Sequence, residues 1–85
     1  MPDATTRIEA TEVLDCRGLL CPLPVYKAAV VLNRLAAGDV LELVATDPGS
    51  IEDVPALARQ RGDVLLSADT SGATYRFWLE KGGER

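Results

Sequence analysis

Two prolines one residue apart, Pro22 and Pro24, stand directly ahead of an apolar stripe at helical spacing. They fix where the first helix of this chain begins. Proline lacks a backbone N–H and has a set φ, so it costs little only in the first helical turn, where the N–H groups have no intrahelical partner. Pro24 also biases Leu23 away from the helical region, which places the start between Pro22 and Pro24. Downstream, Pro24, Ala28, Val31 and Leu35 share one stripe, with Val25, Ala29, Leu32 and Ala36 beside it. Lys27 and Arg34 mark the opposite, wet face. Gly38 is expected to close the helix as its C-terminal cap residue.

The same punctuation divides the rest of the chain. Glu12–Cys16 alternates enough for a first strand, and Arg17-Gly18-Leu19-Leu20 follows as a turn in which Gly18 permits a positive φ. Residues 39–46 read as a second strand. The turn Asp47-Pro48-Gly49-Ser50 leads into a second helix, with Ser50 expected as its N-cap and Asp53 three residues on. Ile51, Val54, Leu57 and Ala58 hold core spacing there, Pro55 lies about one turn in, and Gly62 ends the helix. Residues 64–68 and 74–80 form a hairpin across 69–72. In its last strand Tyr75, Phe77 and Leu79 share the face expected to pack under the helices. Trp78 then lies on the other face near Val40 and Val44, either as a partner patch or as ordinary cross-strand packing.

The order is strand, helix, strand, helix, strand, strand. Right-handed crossovers place both helices on one face of the sheet. The expected fold is therefore a two-layer α/β sandwich with a mixed four-stranded sheet and one uncovered sheet face. Eighty-five residues make one domain, expected over 10–82, with a flexible lead-in over 1–9 and a frayed tail over 83–85. A core of this size suffices without metals or disulfide staples.

Cys21 is the candidate for chemistry. It precedes Pro22 and the helix start, where the helix dipole is expected to lower its pKa, with Arg17 adding positive potential and Pro22 stiffening the chain so that the sulfur points outward. The competing fate is a small buried hydrophobe beside Leu19 and Leu20. The chain contains no histidine, so a Cys–His catalytic pair cannot be assembled. Cys16 is either an auxiliary thiol or a strand-end core residue, and the latter is favoured because free cysteine is so often buried. Two cysteines and no histidine are too few for a zinc site, and their spacing is not that of a Cys-x-x-Cys redox pair. Asp15 and Asp47 suit turn capping better than catalysis. Arg17 and Lys27 either guide a partner and stabilise a thiolate or are solvated surface charges. Neither Ser50 nor Ser67 has a base beside it, and the acidic residues show no paired-carboxylate spacing. No cofactor is expected.

A net charge of −4 argues against a nucleic-acid backbone as the main partner and favours one with a basic face. The first seven residues lack a signal peptide's apolar stretch and no run is long enough to span a bilayer, so a cytoplasmic protein with reduced thiols is expected.

Leu14-Asp15-Cys16-Arg17-Gly18-Leu19-Leu20-Cys21-Pro22-Leu23-Pro24 resembles the signature of the TusA/SirA sulfur-carrier family, whose hallmark is Cys-Pro-x-Pro at the first helix. The Asp47-Pro48 turn and the aromatic last strand ending at Lys81-Gly82 extend the likeness over residues 13–82. The resemblance implies a carrier that receives sulfur on Cys21 as a persulfide from a cysteine desulfurase or rhodanese-like donor. It also implies delivery to acceptor proteins serving tRNA thiolation, cofactor assembly or sulfur oxidation, by a carrier rather than a stand-alone enzyme. A monomer is expected, since such a carrier docks several partners in turn. A reading of another class is a non-catalytic adaptor that uses the open sheet face and keeps Cys21 as structure; it requires that Cys21 resist alkylation in the native state.

Overall fold

The computed structural model of the protein describes residues 8–83. Residues 1–7 of the expected lead-in and 84–85 of the expected tail lie outside the described residues. Strands β1 (Glu12–Cys16) and β2 (Val40–Ala45) run parallel and adjacent, joined by helix α1 (Leu23–Arg34). Helix α2 (Ser50–Arg61) then carries the chain to β3 (Val64–Asp69), and a hairpin returns it as β4 (Tyr75–Glu80). β4 inserts between β2 and β3, antiparallel to both, giving the order β1-β2-β4-β3. Both crossovers therefore step in the same direction across the sheet. With a common right hand they lay both helices on the same face. The mixed sheet and two-layer sandwich expected from the sequence are what the chain forms.

The inner faces meet in a core of Cys16, Leu41, Leu43, Phe77 and Leu79 from the sheet and Ala28, Val31, Leu32, Val54 and Ala58 from the helices. Tyr75 packs partly against it, so the face assignment of the last strand holds. Each large apolar side chain sealed here contributes about 1.5–3 kcal/mol relative to leaving it in water. On the open face, Trp78 sits in register between Glu42 and Ser67 and is half-buried. Val40 and Val44 pair with Glu80 and Arg76, which places them diagonally from the indole as expected. A register shift between Leu65 and Ser67 bends β3 at its free edge.

Two local expectations need correction. Gly38 is not the cap of α1: the helix ends at Arg34, with Leu35 extended as its cap residue. Gly38 lies in the following turn at φ 91°, where its N–H donates to the Lys81 carbonyl at 3.0 Å. Ser50 is the first residue of α2 and does not cap it; its hydroxyl is buried with no hydrogen-bond partner among the described residues. No side chain caps α2; the carbonyls of Asp47 and Pro48 accept from the Ser50 and Ile51 N–H groups, and Asp47 Oδ2 accepts the Gly49 N–H at 3.0 Å within that turn. Gly62 does end α2, in the left-handed conformation.

The chain after β4 is anchored to α1: Lys81 Nζ donates to the carbonyls of Leu32 at 2.7 Å and Leu35 at 2.9 Å. A cation thus satisfies the last carbonyls of α1, where the helix dipole is negative. Gly82 follows by donating its N–H to Asp63 Oδ1 at 2.8 Å. Replacing Lys81 by methionine keeps the stem and removes the donors, and is expected to cost about 1–3 kcal/mol. Urea unfolding should show a lowered midpoint at an unchanged m-value; an unshifted midpoint would mean the clamp contributes nothing.

Candidate functional site

Because β1 and β2 are parallel neighbours, the loops leaving their C-terminal ends emerge side by side. In open α/β sheets this is where functional residues collect. The first loop carries Arg17 to Pro22 into α1, and the second carries Thr46 to Gly49 into α2. They are tied together by the Gly18 N–H, which donates to Thr46 Oγ1 at 2.9 Å. The N-termini of both helices consequently converge, and Cys21 stands between them.

Cys21 is exposed and its thiol is free. Its thiol donates to Asp53 Oδ2, on the first turn of α2, at 2.6 Å. Gly49 makes this approach possible, since a Cβ there would lie 3.2 Å from Cys21 Cβ, 3.5 Å from its sulfur and 2.8 Å from Asp47 Oδ2. The sulfur forms one end of an open groove of about 570 Å3 between the two helices. Val25, Tyr26 and Ala29 line it from α1, and Asp53, Leu57 and Gln60 from α2. The surface around the thiol is mainly apolar, with a carboxylate at the sulfur.

The electrostatics of Cys21 are the reverse of the sequence expectation. The hydrogen bond to Asp53 pushes the thiol pKa up, helped by burial and by the negative charges of Asp53 and Asp47. Arg17 does not offset this. Its guanidinium makes two hydrogen bonds to the Asp15 carboxylate, at 2.9 and 2.8 Å, and the same carboxylate accepts the Arg17 N–H at 3.0 Å. That fork holds the Asp15 carboxyl down to about 2. Arg17 is therefore committed to its neighbour two residues back, and Asp15 is the turn residue it resembles in sequence. Pro22 and Pro24 frame the first turn of α1, with Pro24 buried in its base and Pro22 at the groove. The peptide bond between Cys21 and Pro22 is cis.

Cys16 is fully buried at the end of β1. Burial is the main reason its thiol is held above the ordinary range. It occupies the core position that its strand-end place favours. Among the described residues no group of three His, Cys, Asp or Glu side chains is placed to hold a metal ion.

The family model described as "Sulfurtransferase TusA" matches residues 12–81, which span every strand and helix and the whole site. The chain belongs to the TusA family. Among curated relatives, this TusA-family chain is 43% identical to the "Sulfur carrier protein TusA" of Allochromatium vinosum, over 80% of this chain and 90% of that protein. It is 38% identical to the protein of the same name from Pseudomonas putida, over 81% of this chain and 86% of that one. The fold matches that of the SirA-like protein of Desulfitobacterium hafniense at a TM-score of 0.74 and 22% identity, covering 85% of this chain and 99% of that one. The resemblance read from the Cys-Pro-x-Pro segment is thus family membership, and the family is one of sulfur relay.

Asp53 is the residue that sequence reasoning left out of the site. It was absorbed as the partner of a Ser50 cap that does not form. One signal pointed to it: residues 53, 57 and 60 of α2 recur at the same helical spacing as Pro22, just ahead of α1, with 25 or 26 and 29 of α1. Two such stripes flank a groove with Cys21 at its end.

Proposed function

We propose that the protein is a cytoplasmic sulfur carrier in which Cys21 receives sulfane sulfur as a persulfide and passes it on. The observation that supports this most is the exposed Cys21 sulfur at the mouth of an apolar groove. Transfer between sulfurs needs a thiol with a path for a partner sulfur, and no general base beyond what the partners bring. The donor is a cysteine desulfurase or a rhodanese-like protein, and the recipients are acceptor proteins of tRNA thiolation, cofactor assembly or sulfur oxidation. Each docks in turn on a monomer. The step is an exchange: the Cys21 sulfur attacks the outer sulfur of the donor persulfide, a new S–S bond forms, and the donor's own S–S bond breaks.

The test is mass spectrometry of the intact protein after incubation with a cysteine desulfurase and cysteine. The expected result is a gain of one sulfur atom, removed by reductant and mapped to the peptide containing Cys21. No gain, or a gain mapped to Cys16, would overturn the reading.

A further inference from the structure

Resting on the carrier reading, we propose that Asp53 is a positioning residue that holds Cys21 protonated in the free carrier, and that a sulfur donor unlocks it by setting a cationic side chain against Asp53 and Asp47. The geometry comes from two elements far apart in sequence. The thiol donates to Asp53 Oδ2 at 2.6 Å, and the close packing of Cys21 against Gly49 keeps the sulfur in that direction. The charged groups that face the sulfur are Asp53 from α2 and Asp47 from the loop before it. From α1 the polar side chain lining the groove is Tyr26. Arg17, the nearest cation in sequence, is occupied by Asp15.

A thiolate formed here would face two carboxylates, whereas the thiol satisfies one of them with its proton. The carboxylates therefore act as a latch: they oppose ionisation of a cysteine that is otherwise exposed to alkylating and oxidising agents. A partner cation placed on Asp53 removes the repulsion and withdraws the hydrogen-bond acceptor from the thiol at once. This matches the basic partner face that the net charge of −4 favours. The chemistry balances. Cys21 loses its proton on docking, its sulfur bonds to the outer sulfur of the donor persulfide, and the donor cysteine departs as a thiolate. That thiolate takes up a proton equivalent to the one Cys21 gave up, so no oxidant or reductant is consumed.

The substitution Asp53→Asn tests this by two measurements. The first is the rate of iodoacetamide alkylation at Cys21 against pH, read by peptide mass spectrometry. Removing the charge lowers the thiol pKa, so the profile should move to lower pH. The gain in thiolate is partly offset by weaker nucleophilicity, leaving alkylation about three- to tenfold faster near neutral pH. The second is sulfur loading from a cysteine desulfurase with cysteine. Its half-saturating donor concentration should rise about fivefold or more, with a weaker dependence on salt than in the unsubstituted protein. Asp53→Glu keeps the charge and should restore both behaviours in part, while thermal unfolding confirms that each variant is folded. An unmoved alkylation profile overturns the latch, and an unmoved half-saturation overturns the cation that releases it. Failure of the unsubstituted protein to load sulfur counts against the carrier reading instead, because alkylation measures the latch without any sulfur transfer.

Discussion

Cys21→Ser is expected to abolish sulfur loading completely, while Cys16→Ala loads at a rate close to that of the unsubstituted protein. The contrast follows from where the two sulfurs sit. Cys21 is exposed at the groove and Cys16 has 0% of its surface accessible. A serine at 21 preserves size and can still donate to Asp53, so the fold and the docking surface survive. Its hydroxyl cannot carry a sulfane sulfur under these conditions, because transfer runs through a sulfur nucleophile. Alanine at 16 removes one buried sulfur and leaves a small cavity, a cost in stability of about 1–2 kcal/mol rather than in chemistry. Intact-mass measurement after incubation with a cysteine desulfurase and cysteine decides the matter. Full loading of Cys21→Ser would show that the acceptor sulfur lies elsewhere.

The largest effect on stability is expected from Phe77→Ala. Phe77 is the single phenylalanine of the chain and 1% exposed. It lies on β4 opposite Leu43 of β2 and Ala68 of β3, and it belongs to the cluster that joins the sheet to both helices. Truncating a buried phenylalanine costs about 3–5 kcal/mol. A domain of this size has a total stability of about 4–13 kcal/mol, so the loss takes from about a quarter of that margin to all of it. Denaturant unfolding followed by circular dichroism would show the loss as a lower midpoint. A change below about 1 kcal/mol would mean that the helices close over the vacated space.

Local signals carried most of the fold. Pro22 and Pro24 set the start of α1, Gly62 set the end of α2, and the alternation of Tyr75, Phe77 and Leu79 set the inner face of β4. These residues act through their own backbone geometry or their own period, so sequence position alone reveals them. The errors share a different cause. Gly38 has the glycine freedom that a helix cap uses, but here that freedom serves a turn docked on the Lys81 carbonyl. Ser50 has the chemistry of a cap, but the turn ahead of it already supplies acceptors for the first N–H groups of α2: the Asp47 carbonyl accepts from Ser50 and the Pro48 carbonyl from Ile51. In each case the surrounding backbone put the residue to a use other than the one its own preference offered. The site divides in the same way. Cys21 was legible from its motif and its place ahead of a helix, whereas its electrostatic setting was read with the wrong sign. The deciding group, Asp53, is 32 residues away and reaches the sulfur only because β1 and β2 are parallel. By contrast, the capture of Arg17 by Asp15, two residues apart, could have been anticipated.

The insertion of β4 between β2 and β3 also constrains how the protein is made. β3 pairs with β4 alone, and β2 meets β4 along one whole side. A nascent chain emerging from the ribosome through β3 therefore has its helices and three strands but no completed sheet, and it lacks Phe77 and Leu79 to fill the centre. Until β4 is in place, the facing edges of β2 and β3 stay unpaired and open to chaperones and to neighbouring chains.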